Sequence, residues 1–343
     1  MRIGVLTGGG DCPGLNAVIR GVVLQGEKEG YEIIGFKDGW LGVLENRWQR
    51  LTKESVEDIQ REGGTILHTS RTNPFKETEG LTRIKETIKK RGINALVAIG
   101  GDDTLGVANK LYEEGIKAVG VPKTIDNDLS ATDYTFGFDT AINIAVEAID
   151  RLHTTARSHR RVIVVEIMGR HAGWITLEAG IGGGAHVILI PEVPFHIEEV
   201  CQILTKRKEK GKTYSIMAVA EGAKAARGSK FLSREVVKEG ETDAFGNIYL
   251  KGIAEVLEKE IAKRTGIETR SVILGHLQRG GRPSAFDRFL ATRFGIKAIE
   301  LVKEEKFGQM ASLKGTEIIS VPLKEAVGKR KLVPQKLYEE TII

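Results

Sequence analysis

The chain has 343 residues, 41% of them hydrophobic and 28% charged, with a formal net charge of +5. That length and apolar content suffice for one large or two medium domains with real cores. A mixed-sign surface this mildly basic, with no basic block and no aromatic–basic alternation, argues against a nucleic-acid binder and suits a phosphorylated small substrate.

The N-terminus enters a strand pattern at once, RIGVLT (2–7), without the basic stretch and apolar segment of a secretory signal. The longest apolar runs are strand-sized, far below the ~20 residues of a bilayer span. The expectation is a soluble, cytoplasmic protein with no membrane partner. A helical pattern follows, LNAVIRGVVLQGEKEG (15–30), then a strand, EIIGF (32–36). Further on come the strand INALVAI (93–99), the helix LGVANKLYEEG (105–115), the strand KAVGV (117–121) and the amphipathic DTAINIAVEAIDRLHTT (139–155). The rhythm continues in RVIVVEI (161–167), HVILI (186–190), SIMAVA (215–220) and SVILG (271–275). Short β-branched runs alternating with helices imply parallel sheets covered by helices, and the length accommodates two. The segment 226–247 is polar and turn-rich and reads as a surface excursion. Two cysteines, Cys12 and Cys201, lie far apart and form no CxxC spacing, so both are expected to be reduced and packed.

Polar clusters recur just after the apolar runs: GGGDCPG (8–14), GGDDT (100–104), PKTIDND (122–128), MGRHAG (168–173), EGAK (221–224) and HLQRGG (276–281). Ligands of open parallel sheets sit beyond the carboxyl ends of the strands, so six decorated ends point to an active cleft. Capping alone does not call for Arg170, His276 and Arg279. GGGDCPG lacks the Gly-Lys-Ser/Thr of a P-loop, and Pro13 stands where the third glycine of a dinucleotide fingerprint would fall. What remains is a bare-backbone anion loop opening a helix at Leu15, with Asp11 as its expected cap. In TIDND, Asp126 and Asp128 face the same way if the segment is extended, and both can meet one cation if it turns. One carboxylate could then serve Mg²⁺ while the other takes a proton from an attacking hydroxyl; an Asx-turn is the plain structural alternative. Asp102, on the neighbouring strand end, favours the first reading, because Mg²⁺ prefers oxygen ligands shared with substrate phosphates. Arginines at strand mouths, Arg161, Arg170, Arg270 and Arg279, read as phosphate ligands.

Taken together, GGGDCPGLNAVIRG, GGTIL, IGGDDT, VPKTIDND, DYTFGFDTA, VEIMGRHAGW, GGAHVILIPE, AEG and LGHLQRGGRPSAFDR resemble the phosphofructokinases, in order, from Arg2 to about Lys303. The resemblance implies two Rossmann-like three-layer α/β domains facing across an active-site cleft, in a homo-oligomer, dimer or tetramer. Residues 1–137 with 278–326 would be the phosphate-donor domain, and 138–277 with 327–343 the fructose 6-phosphate domain. The implied reaction is phosphoryl transfer to the 1-hydroxyl of fructose 6-phosphate. Carried over, the catalytic base falls on Asp126, with Asp128 beside it, Asp102 serving Mg²⁺ and Thr124 seating the transferred group. Sugar-phosphate recognition falls on Met168, Gly169, Arg170, Glu221, His276 and Arg279. Arg161 and Arg270 would reach in from a neighbouring subunit. Donor contacts fall on Gly10, Arg71, Asp103, Thr104 and Lys123.

Two positions bear on the donor. ATP-using members typically have glycine where this chain has Asp103, and many have glycine at Lys123. A carboxylate at the first position fills the space of a nucleotide α-phosphate and repels it, while Lys123 can neutralise a compact diphosphate and stabilise the leaving phosphate. The pair is similar to the pyrophosphate-dependent branch, which implies a reversible, diphosphate-dependent 6-phosphofructokinase. The alternatives are an ATP-dependent enzyme, a non-catalytic sugar-phosphate sensor, and a side activity on sedoheptulose 7-phosphate. Leu24, His153 and His186 stand where allosteric members carry two arginines and an effector-metal glutamate, so allosteric control of that kind is expected to be weak or absent.

Overall fold

The computed structural model describes residues 1–226 and 252–342, together with the backbone of two short antiparallel strands, Val237–Thr242 and Ile248–Leu250. The expected excursion at 226–247 lies outside the described residues except for Ala226 and the first of those strands. The chain divides into two compact units. One comprises Met1–Ile125, Leu129–Thr140 and Arg279–Arg330, the other Asp126–Asp128, Ala141–Gln278 and Lys331–Ile343. Boundaries had been expected at 137/138, 277/278 and 326/327; the observed divisions fall a few residues later, and Asp126–Asp128 group with the second unit.

Seven strands form the sheet of the first unit: β1 (Arg2–Thr7), β2 (Glu32–Phe36), β3 (Trp48–Leu51), β4 (Ala95–Gly100), β5 (Ala118–Pro122), β12 (Gln309–Lys314) and β13 (Glu317–Pro322). The second unit holds β6 (Val162–Ile167), β7 (Val187–Leu189), β8 (Ser215–Ala220) and β11 (Thr269–Ile273); β9 and β10 are the two short strands named above. The order in the first sheet is β13-β12-β5-β4-β1-β2-β3. Its middle is parallel and its outermost strands, β3 and β13, are antiparallel to their neighbours. β4 and β5 are buried along their whole length, which is why ALVAIG and AVGVP are continuous apolar runs without alternation. β13 shows the opposite, an exposed or half-exposed burial pattern throughout.

β1 pairs with β2 on one side and β4 on the other. The chain leaving β1 therefore crosses toward β2, while the chain leaving β4 crosses away, toward β5. That reversal opens a crevice at the carboxyl ends of β1 and β4, the place where such sheets hold ligands. The second sheet is all parallel in the order β11-β6-β8-β7. Its core joins Val162, Val164, Met217 and Val219 of the sheet to Leu204 of the helix Ile197–Glu209 and to Leu257 and Ile261 of the helix Ile253–Thr265. Both cysteines are free and buried, and burial pushes the Cys12 thiol up to about 12. Among the described residues no helix is long and apolar enough to cross a membrane.

Candidate active site

In the first unit the polar clusters collect on three adjacent strand ends, β1, β4 and β5. The turn after β1 is tied down from both sides: Gly8 N donates to Ile99 O (2.9 Å), Gly9 N to Ser70 O (3.1 Å), and Thr69 Oγ1 to Gly9 O (2.6 Å). The helix that follows, Leu15–Lys28, is capped by Gly14 at φ +107 with no side-chain cap bond. Asp11 is therefore not the cap. The left-handed backbone at Gly14 does the turning instead, a conformation that suits glycine. The Asp11 carbonyl accepts from Arg279 Nη1 at 3.1 Å, which brings the arginine of HLQRGG onto the GGGDCPG loop.

After β4 the helix Asp102–Glu113 begins with both carboxylates in its first turn, where the positive end of the helix dipole favours them. Thr104 is 2% exposed and occupies the gap between β1 and β4. A Cβ on Gly8 would lie 2.6 Å from its Oγ1, and one on Gly100 would lie 2.3 Å from its Cβ. Those two glycines are there so that Thr104 can reach the crevice floor. Asp102 Oδ1 accepts from Gly328 N at 2.8 Å. Lys123, at the end of β5, is 3% exposed and donates from Nζ to Gly10 O. The first unit thus gathers Gly10, Asp102, Asp103, Thr104, Lys123 and Arg279; Arg71 is exposed, directly after Ser70, whose carbonyl holds Gly9.

From Thr124 to Ser130 burial alternates: Thr124, Asp126, Asp128 and Ser130 are half-buried, whereas Ile125, Asn127 and Leu129 are buried. The alternation gives Asp126 and Asp128 like exposure, but the chain bends at Ile125 and Asp126 and Asn127 is left-handed at φ +49, so the segment turns rather than runs extended.

The second unit repeats the arrangement on β11, β6 and β8. Met168, Gly169 and Arg170 follow β6, Glu221 follows β8, and His276 and Gln278 follow β11. Glu221 N donates to Ile167 O (2.9 Å) and Gly222 N to Gly169 O (3.2 Å), so the turns after β6 and β8 are bound together. Gln278, fully buried, accepts at Oε1 from Met168 N at 2.8 Å and joins the turns after β11 and β6. The Arg170 Nε is buried with no hydrogen-bond partner, a donor whose desolvation is left uncompensated within the chain. Gln278 was quoted within its motif but not singled out for this role; a glutamine in a glycine-rich turn is the signal that was available. Arg161 and Arg270 are not brought to this end. Arg161 precedes β6, and Arg270 is the second residue of β11 rather than its opener; both bind Glu268 Oε1, at 3.3 and 3.0 Å. The six residues of β6, about 20 Å of strand, separate Arg161 from Met168.

His153 and His186 form a ring cluster with Tyr214, centroids 5.8–6.0 Å apart. His186 Nδ1 accepts from Ile216 N (2.9 Å), and burial together with Arg207 and His153 pushes its pKa down to about 4. A His186 ring held neutral in this way offers no charge to an anion.

No group of three or more histidine, cysteine, aspartate or glutamate side chains with metal-ligating geometry occurs among the described residues. A single half-buried carboxylate at Asp102 nevertheless fits Mg²⁺, which takes one or two carboxylates and fills its shell with water and substrate phosphates.

A family model described as "Phosphofructokinase" matches residues 2–302. The chain is 57% identical over 342 residues to the pyrophosphate--fructose 6-phosphate 1-phosphotransferase of Amycolatopsis methanolica, covering 99% of this chain and 98% of that protein. It is 52% identical over 342 residues, with the same coverage, to the ATP-dependent 6-phosphofructokinase of Mycobacterium tuberculosis. Among solved structures, Pichia pastoris phosphofructokinase in the T-state superposes with a TM-score of 0.82 at 32% identity, over 95% of this chain and 35% of that one. The chain thus spans about a third of the length of that fungal protein.

Proposed function

The chain belongs to the phosphofructokinase family, and from that premise we infer that it transfers a phosphoryl group from pyrophosphate to the 1-hydroxyl of fructose 6-phosphate. The products are fructose 1,6-bisphosphate and phosphate, and the step is a reversible one of glycolysis. The observation that carries the donor assignment is the combination on two adjacent strand ends of Asp103, in the first turn of the helix Asp102–Glu113, and Lys123, buried at the end of β5. A carboxylate ~4 Å from a nucleotide α-phosphate costs about 4 kcal/mol at an effective dielectric of ~20, roughly a thousandfold in affinity; solvent around the half-buried Asp103 screens part of this. Pyrophosphate has no α-phosphate in that position and gains the Lys123 charge.

The first unit supplies the donor site. Gly10, Thr104, Lys123 and Arg71 hold pyrophosphate, and Asp102 would hold Mg²⁺, which when bound neutralises phosphate charge. Asp126 takes the proton from the 1-hydroxyl, Asp128 supports it, and Thr124 seats the group in transfer. Met168, Gly169, Arg170, Glu221, His276 and Arg279 orient the sugar phosphate, so that attack is intramolecular in effect. The placement of Arg161 and Arg270 at the opposite strand ends from Met168 supports a role toward a second copy of the chain, in a dimeric or tetrameric, cytoplasmic enzyme. The weak effector site inferred at His153 and His186 supports simple saturation kinetics.

The test is turnover with each donor under identical Mg²⁺. Strong activity with pyrophosphate and little with ATP is expected; strong activity with ATP and none with pyrophosphate overturns the assignment in favour of the ATP-dependent reading.

A further inference from the structure

Resting on the reading of Asp126 as the base, we propose that Lys331 is a positioning residue for the Asp126–Asp128 loop, acting through a strap made by the C-terminal segment. Lys331 meets the loop twice: its backbone N–H donates to Asp128 O at 2.8 Å, and its Nζ donates to Asn127 Oδ1 at 2.9 Å. Asn127 is 3% exposed and left-handed, at φ +49. Asparagine tolerates that backbone better than most residues but still at a cost, and a strained turn persists only where its surroundings hold it. The side chain between two carboxylates is thus fixed by a cation, and its turn sets where both carboxylates point.

Lys331 is in turn held by the rest of the second unit. Its carbonyl accepts from the indole Nε1 of Trp174 at 2.8 Å, and its ammonium lies 5.6 Å from that ring's centroid. Two residues on, Val333 N donates to Glu192 Oε1 at 3.0 Å, and both oxygens of Glu192 accept from Gly173 N, at 3.0 and 3.1 Å. Gly173 caps the helix Trp174–Gly182 that follows the MGRHAG turn. Tyr338 anchors the far end of the strap through its hydroxyl on Ile188 O, at 2.7 Å. The strap therefore runs from the turn after β6 to the loop of the base. Charge at Lys331 has a purpose that a neutral side chain would not serve: a hydrogen bond from an ammonium to an amide oxygen is stronger than a neutral one, and the ring of Trp174 further stabilises the cation.

The experiment is a double-mutant cycle with Lys331→Met, which keeps the chain length and removes the donor, and Asp126→Asn. Lys331→Met is expected to lower kcat about 10- to 100-fold, the effect of misplacing a reacting group by about 1 Å, with KM for fructose 6-phosphate and for pyrophosphate changing less than about threefold. Lys331→Arg should restore most of kcat. In the Asp126→Asn background Lys331→Met should cost little more, because a positioning residue has nothing left to position. An unchanged kcat in Lys331→Met, a loss confined to KM, or full additivity with Asp126→Asn overturns the proposal. If Asp126→Asn itself retains full activity, the reading of the base fails instead, so the two failures are distinguishable. Should Lys331→Met not accumulate as folded protein, Lys331→Gln enters the same cycle, judged by the same outcomes.

Discussion

Replacing Asp287 by Asn should flatten the pH dependence of stability of the first unit. Asp287 lies in the first turn of the helix Ala285–Lys303 and is fully buried. Its Oδ2 accepts from Thr140 N at 2.8 Å and from Thr140 Oγ1 at 2.5 Å. That same hydroxyl accepts from Ser284 N at 2.9 Å, and Ser284 Oγ caps the helix by accepting from Asp287 N at 3.1 Å. The carboxylate thus ties the point where the chain leaves the first unit to the helix that begins soon after it returns. Burial raises its pKa from 3.8 to about 6, more than the donations from Thr140 lower it. Because the folded value is the higher one, its contribution to stability is complete below about pH 3.8, declines as pH rises, and is gone once pH has passed through about 6. A shift of about two units at about 1.4 kcal/mol each amounts to about 3 kcal/mol, of which about 2 kcal/mol falls between about pH 4.5 and about pH 7. Asn keeps an acceptor for Thr140 and cannot titrate. Urea unfolding, followed by emission of Trp40, which is 2% exposed in this unit, should show the parent losing about 2 kcal/mol relative to Asp287→Asn over that range. Parallel pH profiles would mean that the carboxyl keeps an ordinary pKa and would refute the reasoning.

Asp103→Gly should raise kcat/KM for ATP by about tenfold or more while lowering that for pyrophosphate; steady-state kinetics with both donors decide it, and no gain with ATP would show that space and charge at this position are not limiting. Gly8→Ala places a Cβ 2.6 Å from Thr104 Oγ1 and 2.8 Å from Cγ2 and should cost about 1–3 kcal/mol. Thermal melts of Gly8→Ala and of Gly8→Ala with Thr104→Ala check this, since the second change should recover most of the loss. The imidazole of His186, with a pKa near 4, should stay neutral through pH 6 in NMR titrations. Its folded value lies below the unfolded one, so its contribution is present above about pH 6.5 and is lost as pH falls through about 4; titration near 6.5 would contradict the burial of the ring.

The parallel strands were legible because each is a short apolar run closed by glycine, proline or a polar cluster. RIGVLT, EIIGF and SIMAVA coincide with β1, β2 and β8. β3, β12 and β13 were not expected. β3 and β13 are the antiparallel edges of the first sheet and β13 is partly exposed, while β12, buried at Met310–Leu313, carries a polar Ser312 that breaks its apolar run, so neither QMASLK nor EIISVP reads as a buried strand. Residues at strand ends were legible for a related reason, since a polar cluster directly after an apolar run has few purposes in a parallel sheet. The groups that hold those residues in place were not. Gln278 is 110 positions from Met168, and Lys331 is 204 from Asn127. Neither spacing leaves a local pattern, because only the fold brings such partners together. The Asp11 cap failed on a single competing fact, the glycine three residues later that turns the chain without a side chain.

Asp103 and Lys123, the residues proposed to set the donor, stand in the first unit, while Met168, Arg170, Glu221 and His276 stand in the second. Substitutions on separate cores combine nearly additively when they share no partners. On the proposed reading, a lineage could therefore exchange its phosphate currency by altering loops on one sheet while most of the sugar-phosphate residues, Arg279 apart, stand unchanged on the other. Relatives of similar identity bearing different donor names are what such independent heritability would leave behind.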